Sequence, residues 1–237
     1  MCYKEYIGRT VIACCLLFSF FSCKKLDKDN PIEFTIKAHI PYSGEPISGV
    51  KYTIREYKSK KGKLGEVEYT DFVLEGMTDA NGVASIAFAP RKSKNYYYDL
   101  TFDYSSMQFA NYSGSYSLIK APTYVHLVRN DQQDYEIRAL PHCGMHFKIE
   151  NVNCFDANDK MRYRVYHLEE EPNQQFQYIP YSNYFNGCGF LGEITNSSIL
   201  SGHQIYQIEV TRNNQITTYI DTFFLQPGVM NEVFLQY

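Results

Sequence analysis

Cys143, His146 and Cys154 bring two sulfurs and an imidazole into a short span, the residue types that bind zinc. They fall one ligand short of a tetrahedral structural site, and in an exported chain paired cysteines oxidise more readily than they hold metal. Cys188 and His203 offer a thiol and a base, but the sequence shows neither a group to orient the base nor an oxyanion donor. Asp156, Asn158 and Asp159 are spaced like the start of a calcium loop, without the glycine and distal glutamate that complete one. There is no G-x-S-x-G elbow, no H-E-x-x-H and no phosphate loop. The expectation is a non-enzymatic protein with no catalytic residues, no metal and no cofactor.

The elements that would position any site are strands. The chain of 237 residues has 22 tyrosines and 16 phenylalanines but no tryptophan, an enrichment that favours sheets. No segment sustains apolar spacing at three and four residues. Phe34, Ile36, Ala38 and Ile40 alternate with polar neighbours, as do Val50, Tyr52 and Ile54. Further runs at 96–104, 123–129, 135–140, 144–150, 161–168, 204–211, 215–225 and 229–236 predict strands, and Arg212-Asn213-Asn214 predicts a hairpin turn. Lys58 to Gly65 reads as a basic loop and Glu169-Glu170-Glu171-Pro172 as a solvated acidic tip. The polar run 130–134 is the best boundary. The fold class expected is all-β, with two tandem antiparallel β-sandwich domains at 32–130 and 131–237. A net charge of -3 with mixed signs gives no sign of a nucleic-acid partner, and none is expected.

The N-terminus carries Lys4 and Arg9, then an uncharged run from Val11 to Ser22, then Cys23 followed by Lys24 and Lys25. This is the plan of an export signal, shorter than the ~20 apolar residues a membrane span needs. Phe20-Phe21-Ser22-Cys23 resembles the lipobox of bacterial lipoproteins, in the loose Phe/Ser-rich form of the Bacteroidetes. The resemblance implies a signal peptide over 1–22, cleavage before Cys23, and diacylglycerol plus a further acyl chain on that residue. Multiple chains on one residue give stable anchoring where a single one does not. The implied location is the cell envelope, with the outer membrane favoured and its face open. The polar segment 23–31 reads as a flexible tether.

Met77-Thr78-Asp79-Ala80-Asn81-Gly82 predicts a tight turn, with the Asp79 carboxylate on backbone N–H groups and Asn81-Gly82 supplying the positive φ. With Pro46-Ile47-Ser48-Gly49-Val50 upstream, the segment resembles the T-D-x-x-G pattern of transthyretin-like sandwiches, such as carboxypeptidase regulatory-like and bacterial Ig-like modules. The resemblance implies a fold and a hairpin at the motif, making Asp79, Asn81 and Gly82 structural.

Cys143, Cys154 and Cys188 remain in the exported body, so one disulfide and one leftover thiol is the natural count, with connectivity open. The longest irregular stretch, 173–192, holds Tyr178, Tyr181, Tyr184 and Phe185 and is the candidate binding loop; Tyr96, Tyr97 and Tyr98 form a second aromatic cluster. The leading reading is a membrane-anchored envelope lipoprotein that presents sandwich loops to an unidentified protein or ligand. A glycan-binding accessory of a polysaccharide-uptake system and a pilin-like structural subunit are the alternatives.

Overall fold

The computed structural model describes residues 26–60, 66–129 and 133–237. The chain is all β among them, apart from one 3-10 turn at Phe176–Tyr178. The first half carries β1 (Ile32–His39), β2 (Ile47–Ser48), β3 (Lys51–Ser59), β4 (Val67–Met77), β5 (Val83–Phe88), β6 (Tyr96–Asp103), β7 (Gln108–Phe109), β8 (Tyr116–Lys120) and β9 (Tyr124–Leu127). The second half carries β10 (Gln133–Asn151), β11 (Lys160–His167), β12 (Phe185–Asn186), β13 (Gly189–Leu200), β14 (Gly202–Arg212), β15 (Gln215–Leu225) and β16 (Met230–Gln236).

Four strands in the order β4-β3-β6-β9 form one sheet, and β12-β11-β14-β15 form another. Between them runs a sheet organised on β10, which pairs with β1 and β8 along its first part and with β13 and β16 along its second. Two of these pairings, β1 with β10 and β10 with β16, are parallel, set among otherwise antiparallel ladders. The sequence suggests separate strands on either side of Pro141-His142-Cys143; one nineteen-residue strand runs through instead. Pro141 sits opposite Tyr116 of the short strand β8, and a register shift between Cys143 and Met145 absorbs the irregularity. The His142 ring adds a stitch, with Nδ1 3.0 Å from Ser115 Oγ and 2.9 Å from Ser198 Oγ, and Nε2 2.9 Å from Ser117 Oγ.

Two apolar clusters result. Ile36, Ile54, Leu100 and Ile137 centre the first; Phe147, Met161, Tyr206 and Ile208 centre the second. The first extends along β10 to Leu140 and the second starts at Cys143. Fully burying one such aliphatic side chain stabilises by roughly 1.5–3 kcal/mol.

The T-D-x-x-G segment crosses between sheets rather than closing a hairpin, since β4 pairs with β3 while β5 pairs with β1. Thr78 explains the crossing. It is buried, its Oγ1 accepts from Val50 N–H at 3.1 Å and donates to Ile47 O at 3.1 Å, and this pins the chain across the first core. Asp79 Oδ1 accepts from Asn81 N–H and Val83 N–H, both at 2.9 Å, and these bonds hold its carboxyl below the usual range. Gly82 has φ 70°. Asn81 needs no positive φ.

Of the expected tether, Leu26 onward is described, and this part is held. Leu26 forms a β-bridge with Arg91, and Asp27 N–H donates to Pro90 O at 2.6 Å. Pro31 leads directly into β1.

Candidate functional site

The outer face of the β4-β3-β6-β9 sheet collects aromatic rings from all four strands. Because side chains alternate across a strand, residues paired in register share a face. Tyr57 on β3 is opposite Tyr69 on β4 and Tyr97 on β6. Two residues along, Arg55 is opposite Val73 and Asp99, and Asp99 is opposite His126 on β9. Two further along, Thr101 is opposite Tyr124.

These rows make one platform. Tyr57 stacks on Tyr97 with centroids 5.5 Å apart and meets Tyr69 edge-on at 5.9 Å. His126 lies 6.1 Å from the Tyr57 ring and 5.1 Å from Tyr124. Tyr69, Tyr97 and Tyr124 remain about half exposed (53%, 48% and 49%), while Tyr57 is buried among them. The polar centre is the buried Asp99 carboxylate, whose Oδ1 lies 2.8 Å from His126 Nδ1; that nitrogen is also 3.1 Å from the Tyr57 hydroxyl. Burial first, then the Asp99 charge, pushes the Tyr57 phenol up to about 12. Burial and the same carboxylate push Tyr124 up as well. Both hydroxyls therefore stay protonated at neutral pH. A groove of about 520 Å³ runs beside the platform, lined by Tyr57, Tyr96, Tyr97, His126, Val128 and Arg129. Such a face offers flat apolar rings beside a few polar groups, the combination that recognises amphipathic ligands.

Beneath the platform, the same strands hold a buried acid. Glu56 accepts from Arg91, from the Tyr98 hydroxyl and from the Thr70 hydroxyl. Arg91 in turn covers the Tyr96 ring at 4.3 Å.

Most rings of the loop singled out from sequence pack on side chains of β11. Lys160, Arg162 and Arg164 alternate along β11, and the loop lays its aromatics over them. Tyr184 sits over Lys160 (4.8 Å) and Arg162 (4.9 Å), and Tyr181 over Arg162 (4.2 Å) and Arg164 (4.4 Å). Each such contact contributes about 0.5–1 kcal/mol at an exposed site. Phe185 packs against Tyr163 at the second core. Tyr178, 75% exposed, is the ring of this set that stands furthest into solvent.

The cysteines resolve into a Cys154–Cys188 disulfide and a buried free thiol at Cys143, whose pKa burial pushes up to about 11. Cys188 is thus no free thiol beside His203, and Cys154 is not available beside His146. Among the described residues no three His, Cys, Asp or Glu side chains gather to hold a metal. Asp159 closes the disulfide-bearing end: it accepts from Phe155 N–H (2.8 Å), Asn151 Nδ2 (3.2 Å) and Arg212 Nε (3.3 Å). Asp156 caps its turn through Asn158 N–H at 2.7 Å. Glu169, expected at a solvated tip, is buried instead. It accepts from His203 Nδ1 at 2.6 Å and from His203 N–H at 3.0 Å, while Glu170 and Glu171 stay exposed. Cys23 lies outside the described residues, as do positions 61–65 of the basic loop.

No protein-family model matches this sequence, and no curated protein matches it. Among solved structures, the chain aligns over 87% of its length with the Bacillus anthracis TIE protein, at 10% identity and a TM-score of 0.32, spanning 34% of that chain. It aligns with a streptococcal ancillary pilin at 10% identity and a TM-score of 0.28, spanning 61% of that chain. With the shaft pilin SpaA of Lactobacillus rhamnosus GG the values are 10% and 0.27, spanning 97% of that chain. Likenesses this slight carry no weight for what the chain does.

Proposed function

We propose that this chain is a lipid-anchored, non-enzymatic binding protein of the bacterial cell envelope, and that it holds a glycan on the tyrosine face of the β4-β3-β6-β9 sheet. The anchor rests on Cys23 behind its apolar run. The binding role rests on one observation: Tyr69, Tyr97 and Tyr124 are half exposed on a flat sheet face around a buried Asp99 paired with His126. Sugar rings present C–H faces that lie on tyrosine and hydroxyls that reach a carboxylate or imidazole.

A polysaccharide array probed with the full chain is the test. The proposal expects at least one glycan to bind, and Tyr97→Ala and Tyr124→Ala each to weaken it tenfold or more while Tyr178→Ala does not. A blank array, or binding untouched by the platform substitutions, removes the glycan reading. Separately, Cys23→Ser is expected to release the protein from envelope lipid; retention there removes the anchor.

A further inference from the structure

Long sheet edges are open templates for pairing, and proteins guard them with charge, bulges or cover. β4, an eleven-residue edge, carries Glu68, Asp71 and Glu75, and its ladder with β3 shifts register between Arg55 and Tyr57. β13 carries Glu193 and pairs with β10 through two shifts. β15 is the least guarded of the three, with one charge and no register shift. All eleven of its residues pair with β14 without a shift, Asp221 is its sole charge, and among the described residues no strand occupies its other side. Its outer face presents Ile216, Ile220 and Phe224 at 66%, 61% and 45% exposure.

The order of residues along this edge is self-complementary. If two copies of β15 lie antiparallel about Ile220, the full strand pairs. Ile216 then faces Phe224 of the second copy, Thr218 faces Thr222, and Ile220 faces itself. On the other side of the sheet, Thr217 faces Phe223 and Asp221 faces Tyr219. Aliphatic–aromatic and Thr–Thr cross-strand pairs are stabilising, and no like charges meet. Centring the pairing on Asp221 would set two carboxylates opposite each other, and centring it on Tyr219 would leave strand ends unpaired.

We propose that the free edge of β15 is a homodimer interface, with two copies of this chain joined antiparallel about Ile220 into one continuous eight-stranded sheet. The partner is a second copy because the outer face, Ile216, Thr218, Ile220, Thr222 and Phe224, alternates apolar and Thr in the same order read from either end and carries no charge. A foreign strand is the competing occupant.

The experiment uses the full chain in detergent, with sedimentation for mass and non-reducing gels for cross-links. The wild type is expected to reach dimer mass with concentration, and Ile220→Lys to remain monomeric with unchanged circular dichroism. Ile220→Cys is expected to form a disulfide-linked dimer, because directly paired Cα atoms lie about 4.5–5.5 Å apart, within reach of a disulfide. Ile216→Cys is expected not to cross-link, since the two copies of position 216 would stand roughly 25 Å apart. Adding Phe224→Cys to Ile216→Cys is expected to restore cross-linking. A wild type monomeric at every concentration overturns the proposal, as does a dimer that survives Ile220→Lys or a cross-link at 216 equal to that at 220. Should Ile220→Lys unfold, the cysteine series alone decides.

Discussion

Arg91 grips Glu56 at two points, Nη2 to Oε1 at 2.7 Å and Nε to Oε2 at 2.9 Å. The carboxylate is 1% exposed, and the Tyr98 and Thr70 hydroxyls, each at 2.7 Å, fill its remaining lone pairs. Removing the cation would strand a buried charge directly beneath the tyrosine face. Arg91→Ala is therefore expected to cost about 3–5 kcal/mol, read from the denaturant midpoint. Adding Glu56→Leu should recover much of that loss; a double variant as unstable as the single would show that the pair is not the cause.

The Cys154–Cys188 bond closes a loop with a sequence separation of 34. Restricting the unfolded chain to that extent stabilises the fold by about 3–4 kcal/mol. A Cys154→Ala/Cys188→Ala double variant should unfold at correspondingly lower denaturant, and reductant should shift the wild type to match it. Cys143, buried and with its thiol pKa raised, should label with a thiol reagent only on unfolding.

Burial pushes the Asp159 carboxyl upward, but Phe155 N–H, the Asn151 amide and the Arg212 guanidinium outweigh it and hold the group below its ordinary value. A folded pKa below the unfolded ~3.9 means that this stabilisation is complete above that pH and is lost as pH falls through the folded value. Arg212→Gln should move the acid-unfolding midpoint to higher pH, as followed by circular dichroism.

Gly82 combines φ 70° with a site where an added Cβ would stand 2.3 Å from Ala38 O. Gly82→Ala is expected to destabilise by about 1–3 kcal/mol from backbone strain alone, before any clash. Asn81→Ala, with no such constraint, should cost less than half as much in the same melt.

Strands whose two faces differ in solvent contact were legible as alternation, as β1 and the middle of β14 show. The Asn213-Asn214 turn was equally plain, and both residues take positive φ, 45° and 59°. β13 was missed because an edge strand with Asn196, Ser197 and Ser198 exposed has no apolar rhythm to read. β10 was divided because proline and glycine mark breaks locally, while the pairing that tolerates them is non-local. The tyrosine platform joins strands distant in sequence. Tyr97, Asp99 and Thr101 show the right spacing on one strand, but nothing in the sequence says that Tyr57, Tyr69 and Tyr124 stand beside them. Glu169 looked solvated because its run of acids reads as a hairpin tip, while His203 on β14 joins the nearby His167 in enclosing it.

β1, β10 and β16 all run the same way, with β1 beside the start of β10 and β16 beside its end. Tension applied between Ile32 and Gln236 would therefore slide these three strands along one another instead of unzipping them. Every rung of both parallel ladders would have to stretch together before any could yield. The chain is built like a lap joint, stiffest along the line joining its first strand to its last.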